Sequence, residues 1–163
     1  MKKILLMVCF GVLLVGCGSK ESASTQEGQA LNSATTMEEK QDFFKLGEVY
    51  LAKGDAVKAI QAFEVAAAQD PTNPQAFFAL GQVFMRIQSY DNAVKSFRKV
   101  TSLDPQNGQA YLLIAGCYDL QNKEDQAIEN IKKSMEIFKA QNQTESLQKA
   151  TAALQKIESA TAK

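Results

Sequence analysis

The sequence contains no histidine, which removes the commonest general base and the commonest metal ligand in proteins. A cysteine without a histidine cannot form a cysteine-histidine catalytic pair, and no phosphate-binding glycine loop, nucleophile elbow or metal-ligand spacing occurs. The acidic pairs at residues 38–39 and 124–125 lie near predicted helix starts, where negative charge complements the helix dipole. We therefore predict no enzymatic activity, no cofactor and no metal site.

The sequence also lacks an excess of positive charge. It has 18 lysine and arginine residues against 18 aspartate and glutamate residues. The basic residues are dispersed, without the block of like charge that a nucleic acid or an anionic membrane surface attracts. We expect no nucleic-acid partner, and membrane attachment would need another device.

The N-terminus contains a candidate membrane-targeting segment. Lys2 and Lys3 precede an apolar run from Ile4 to Val15, which is typical of a signal peptide. The run is shorter than the roughly 20 residues that a membrane-spanning helix needs. We predict that residues 1–16 are a signal peptide that is removed.

Residues 14–17, Leu-Val-Gly-Cys, resemble the lipobox of bacterial lipoproteins. In that motif a small residue admits the signal peptidase, and the cysteine thiol receives a diacylglycerol. The resemblance implies that Cys17 is the lipidated first residue of the mature protein, stably anchored by two or more acyl chains. An ordinary secretory signal that happens to contain a cysteine is the alternative.

The residues after Cys17 indicate where the anchor would place the chain. Gly18 and Ser19 follow the cysteine, and neither is the aspartate that retains many such lipoproteins at an inner membrane. This implies an outer membrane, facing the periplasm, or the outer face of a single membrane. Residues 17–38 are mostly small or polar, with Leu31 and Met37 as the larger apolar side chains, which predicts a flexible tether.

Cysteine usage agrees with this processing. Cys9 would leave with the signal peptide and Cys17 would be acylated, so Cys117 has no partner for a disulfide within the chain. Cys117 lies in an apolar stretch of a predicted helix. We predict that it is a buried small hydrophobic residue and not a reactive thiol.

Internal repetition begins at Lys40 and restarts at Pro74 and Gly108, a period of 34 residues. The first unit has Phe43, Leu46, Gly47, Tyr50, Ala59, Phe63, Ala66 and Pro71 at positions that recur in the second as Phe77, Leu80, Gly81, Phe84, Ala93, Phe97, Val100 and Pro105. The third unit has Tyr111, Ile114, Ala115, Tyr118, Ala127, Ile131 and Ser134, and then departs with Lys139 in place of proline.

This order of residues resembles the tetratricopeptide repeat, whose unit is a helical hairpin. The resemblance implies an all-α fold in which residues 39–141 form three hairpins (40–73, 74–107 and 108–141). A hairpin cannot bury its apolar face alone, so the three would stack into a short right-handed superhelical solenoid with a concave groove.

Helix-breaking residues divide the repeats. Gly54 can take the left-handed conformation that ends a first helix, and Asp91 can cap a second one. Asp70 and Asp104, each before a proline, would end the second helices, and Asn73 would cap the next helix with proline at its first position.

Residues 142–163 predict one further helix. Leu147, Leu154 and Ile157 recur at helical spacing, and Asn142 with Glu145 would start the helix. We predict that this helix caps the third repeat, and a dimerisation helix is the alternative.

The first helices of the repeats line the groove in this family. They carry an apolar stripe of Phe44, Phe78 and Leu112, which recur every 34 residues and are flanked by glutamines. We predict that the stripe and its flanks bind an amphipathic or extended apolar segment of a protein partner. Packing of the stripe between adjacent first helices is the alternative. The predicted groove residues are Gln41, Phe44, Glu48, Gln75, Phe78, Gln82, Gln109 and Leu112.

Some family members bind acidic peptide termini through a clamp of lysine, asparagine and arginine on these helices. Only Lys45 is basic at the corresponding positions, so that clamp is absent. The resemblance implies a membrane-anchored scaffold or assembly factor of the bacterial cell envelope. A self-assembling lipoprotein that forms a homodimer through its C-terminal helix is the alternative function.

The lipobox assignment makes a direct prediction. Cys17→Ser removes the only thiol that the signal peptidase pathway could acylate, so the variant should leave the membrane fraction. Fractionation of cells that express the wild type and the variant measures this. A Cys17→Ser protein that stays membrane-bound would show that the lipobox interpretation is wrong.

Overall fold

The structure, a computed structural model, describes residues 42–161, and this part of the chain is helical with no strand. The helices are α1 (Phe43–Ala52), α2 (Ala56–Gln69), α3 (Pro74–Arg86), α4 (Tyr90–Leu103), α5 (Gly108–Asp119), α6 (Glu124–Ala140) and α7 (Thr144–Thr161). The predicted signal peptide and tether lie outside the described residues. None of the seven helices is long and apolar enough to cross a membrane.

The helices pack mainly against their neighbours in sequence. The pairs α1/α2, α3/α4 and α5/α6 are hairpins, α3 packs on α2, and α5 packs on α4, so that successive hairpins stack. α7 packs on α6 and also touches α5. The predicted all-α solenoid of three hairpins with a C-terminal helix is confirmed.

In each of the first two hairpins, a glycine of the first helix faces a phenylalanine of the second. A Cβ atom built on Gly47 would lie 2.5 Å from Cε1 of Phe63, and one built on Gly81 would lie 2.5 Å from Cε1 of Phe97. Both rings are almost fully buried. The missing side chain is therefore what lets the ring occupy the space between the two helices of a hairpin.

The third hairpin solves the same packing problem with different residues. Ala115 stands where the other repeats have glycine, and Ile131 stands where they have phenylalanine; both are buried. A methyl group is tolerated here because the facing side chain is smaller than a phenylalanine ring.

Most of the predicted helix ends are confirmed. Gly54 has a φ of 77° after α1, and Asp70 and Asp104 are the C-caps of α2 and α4. Asn73 caps α3, accepting a hydrogen bond from the backbone N–H of Gln75 at 2.9 Å, with proline at the first helical position.

Two predicted helix starts are wrong. Ser89 is the N-cap of α4, and Asp91 lies in the first turn, where it instead accepts a hydrogen bond from the Gln121 amide of the next repeat at 2.9 Å. Asn142 has a φ of 56° and follows the C-cap of α6, so it ends that helix and does not start α7. Asparagine serves both ends of a helix because it caps N-termini and also tolerates the left-handed conformation.

α7 buries its apolar side against the rest of the solenoid. Ala150 and Ile157 belong to the core that α4, α5 and α6 also form, and Leu147 and Leu154 pack against it. Lys149 and the other residues between these positions are mostly exposed and polar. The apolar residues that a dimer through the C-terminal helix would use are therefore already buried within the chain.

The glycine–phenylalanine packing predicts opposite effects of one substitution at two glycines. Gly81→Ala should lower the free energy of unfolding by about 1–3 kcal/mol, because the Phe97 ring must shift. Gly116→Ala, on the neighbouring helix α5, should raise it by roughly 0.5–1 kcal/mol, because a Cβ there meets no atom within 4 Å. Urea unfolding of the Cys17→Ser chain with each change measures both values. Equal effects at the two glycines would contradict this account of the packing.

Candidate partner-binding groove

A groove of about 610 Å³ runs across the first helices of the three repeats. α1, α3 and the beginning of α5 supply most of its lining, while Phe63 of α2 and Val100 of α4 reach it from behind. The complete lining is Phe44, Glu48, Leu51, Phe63, Pro74, Gln75, Phe78, Ala79, Gln82, Val100, Asn107 and Gln109.

Most of the sequence-predicted groove residues meet here. The six that line the groove are Phe44, Glu48, Gln75, Phe78, Gln82 and Gln109. Gln41 lies outside the described residues. Leu112 does not line the groove; it is half-buried and packs against the core shared by α4 to α7. The binding role of the set stays a prediction.

The two phenylalanines of the stripe contact buried core residues and also line the groove. The Phe44 ring centroid lies 5.4 Å from that of Phe63, and the Phe78 centroid lies 5.6 Å from that of Phe97, with the rings tilted or edge-on in each pair. Phe44 and Phe78 remain partly exposed. Each ring is thus held in place by its own hairpin while it presents apolar surface to the groove.

Several lining residues were not predicted from the sequence. Leu51 follows Phe44 by seven residues, which places the two on the same side of α1, so helical spacing could have found it. Ala79 follows Phe78 directly, and Pro74 and Asn107 lie at the starts of α3 and α5. The repeat positions from which we predicted the groove did not include these three residues.

The groove carries little charge. Glu48 is the only ionisable residue among those that line it. Lys45 is exposed and forms an ion pair with Asp42 at 3.3 Å, and it does not reach the lining. The backbone N–H of Lys45 also donates to Asp42 and lowers the pKa of that carboxyl group. The other polar side chains of the lining belong to three glutamines and Asn107, and amide side chains both donate and accept hydrogen bonds.

Cys117 lies away from the groove. Its side chain is fully buried in the core of α4 to α7, as predicted. Burial raises the pKa of the Cys117 thiol to about 11, so almost none of it is thiolate at neutral pH. It packs as a small apolar residue.

Comparison with known families agrees with the geometry. The TPR repeat family matches residues 47–88, and a second tetratricopeptide repeat family matches residues 88–154. The chain belongs to the tetratricopeptide repeat (TPR) family. No curated protein sequence matches it.

Solved structures share the fold at low sequence identity. PcrH in complex with the chaperone binding region of PopD is 18% identical with a TM-score of 0.68, over 73% of this chain and 90% of that one. The Yersinia enterocolitica type III secretion translocator chaperone SycD is 16% identical with a TM-score of 0.69, over 74% and 84%. The first TPR of Spaghetti (RPAP3), bound to the HSP90 peptide SRMEEVD, is 20% identical with a TM-score of 0.65, over 74% and 91%. These likenesses identify the fold.

Proposed function

We propose that this protein is a lipid-anchored binding protein of a bacterial cell envelope, where it acts as a scaffold or assembly factor. Its groove would hold an extended apolar or amphipathic segment of a protein partner. The observation that carries the proposal is that equivalent positions of successive repeats, Phe44 with Phe78 and Gln75 with Gln109, line one groove. Rings at repeated intervals suit alternate apolar side chains of a ligand, while the glutamines suit its backbone.

Structural neighbours with bound peptides support a peptide ligand. PcrH is seen with the chaperone binding region of PopD, and the RPAP3 domain is seen with the peptide SRMEEVD. This chain differs from a receptor for acidic peptides, because Glu48 is the only charge in the groove lining. An acidic ligand would face like charge, so the proposed partner segment is neutral or basic where it passes Glu48.

The apolar surface alone gives modest affinity. Phe44 and Phe78 are already half-buried, so covering the remainder of each ring gains about 1 kcal/mol per side chain. Association costs several kcal/mol, which leaves weak binding. A lipid on Cys17 would concentrate the groove beside membrane-bound partners, and tethering offsets weak contacts in this way. The proposed location is the outer membrane, facing the periplasm.

Photo-crosslinking tests the binding surface. A photoreactive amino acid at Gln75, which is exposed and lines the groove, should capture a discrete envelope protein in living cells. The matched control carries the same amino acid at Gln126, which is exposed on α6 outside the groove lining. Capture of the same protein with equal yield from both positions would move the binding surface elsewhere.

Charge placed in the groove should then abolish capture. The double variant Glu48→Lys with Gln82→Lys removes the acidic site and leaves the phenylalanine pairs unchanged, so circular dichroism should show intact helices. We expect at least a tenfold loss of captured partner, equivalent to about 1.4 kcal/mol. The control pair Glu129→Lys with Gln126→Lys changes the net charge equally on α6 and should capture normally. Undiminished capture by the groove variant would refute the proposal.

A further inference from the structure

The outer face of α2 is apolar where the other two repeats are charged. Val57 and Val65 are 67% and 39% exposed, and they are two of the three valines that the first hairpin exposes to solvent. At the same repeat positions the second and third hairpins have Asp91, Lys99, Asp125 and Lys133, all exposed. In the later repeats this face is therefore exposed to solvent and carries charged residues. The first repeat departs from that pattern at both positions.

These valines lie on one side of a single helix. Val57, Gln61 and Val65 are spaced four residues apart, and Ala68 extends the same side by another turn. Gln61 and Ala68 are exposed. None of the four residues lines the groove, so this surface is separate from the proposed partner site.

We propose that two copies of the chain associate through this face, with their α2 helices antiparallel around a two-fold axis at Gln61. In that arrangement a residue pairs with the one equally far from Gln61 on the second copy. Val57 then faces Val65 of the second copy, and Lys58 faces Glu64. Apolar residues meet in the middle, and opposite charges flank them on both sides.

The other repeats do not offer the same match. The equivalent axis residue is Lys95 in α4 and Glu129 in α6, both exposed, so a two-fold pairing there places like charges against each other. Only the first repeat has an uncharged residue at the axis. This difference within one chain argues for a specific surface and against a general property of the fold.

The charges beside the valines favour a second copy over other occupants. Across residues 42–161 no cation forms an ion pair with Glu64, whereas Lys58 is held by Asp55 at 2.9 Å and lies 5.6 Å from the centre of the Tyr50 ring. A second copy brings Lys58 to Glu64 twice by symmetry. Residues 17–41 have only Leu31 and Met37 as large apolar residues and are less suited to cover the face.

The proposed dimer contact involves one helix from each copy, which limits the surface area that it buries. A single pair of 14-residue helices buries less than the roughly 1,200 Å² of a standard stable interface. The dimer is therefore weak in dilute solution and is favoured when both copies are confined to one surface. It leaves the groove of each copy open, so a dimer presents two partner sites.

Crosslinking tests the axis. The chain with Cys9→Ser and Cys17→Ser that also carries Gln61→Cys should form covalent dimers with a short bismaleimide at millimolar protein concentration, because the two new thiols meet at the axis. Cys117 is buried and should stay silent. The matched controls Lys95→Cys and Glu129→Cys occupy the same position in the other repeats and should give at least tenfold less dimer. Equal yields from the three, or no dimer from Gln61→Cys, would overturn the proposal.

Charge reversal distinguishes self-association from other occupants. Glu64→Lys and Lys58→Glu each place like charges opposite one another in a homodimer, so each variant alone should sediment as a monomer at a concentration where the Cys17→Ser chain dimerises. An equimolar mixture restores opposite charges at both contacts and should dimerise again. A mixture that stays monomeric, or single variants that dimerise normally, would exclude this antiparallel pair. These are also the results expected if residues 17–41 or another protein cover the face.

Discussion

The approach of the two helices in each hairpin is the constraint on which the rest of the structure depends. Gly47 and Gly81 have no side chain, so the rings of Phe63 and Phe97 can occupy the space between the helices of the first two hairpins. Those buried rings in turn support Phe44 and Phe78, which form the floor of the groove. The packing of the core and the shape of the candidate binding surface are therefore one arrangement, repeated along the chain.

The two ends of the stack differ. α7 covers the third hairpin with Ala150 and Ile157 and leaves a mostly polar outer side. At the other end Val49 is 46% exposed, although Val83 and Cys117 at the same repeat position are fully buried by the hairpin before them. The first hairpin thus keeps apolar surface that the later ones have lost or covered. Association with another molecule is more favourable at this end for that reason.

The repeat pattern predicted the helices well because each repeat position has one structural role. The aspartates before proline predicted where α2 and α4 end, and the asparagine before proline predicted where α3 begins. These residues act on the backbone of their own turn, so no distant contact was needed for the prediction. The prediction failed at Asp91 and Asn142, where a polar residue has two possible roles and contacts outside its own turn decide between them. Asp91 pairs with Gln121 in the next repeat, a contact that no local pattern indicates.

The groove was predicted less completely for a related reason. Equal offsets treat the three repeats as identical, but the only residue of α5 that lines the groove is Gln109, and Leu112, further along that helix, does not line it. Leu51 lies beside Phe44 on α1, but the repeat offsets alone did not distinguish it from core residues. Charge was easier to predict, because the sequence itself shows that Lys45 is the one basic residue at the clamp positions. Glu48 is the one ionisable residue that lines the groove.

Selection of binders from a random peptide library, with the Cys17→Ser chain as bait, tests the central claim most directly, because it needs no knowledge of the natural partner. The account predicts enrichment of apolar peptides with neutral or positive charge, whose binding is lost with Glu48→Lys and Gln82→Lys but kept with Glu129→Lys and Gln126→Lys. Enrichment of acidic peptides, or of peptides that bind the groove variant equally well, would contradict it.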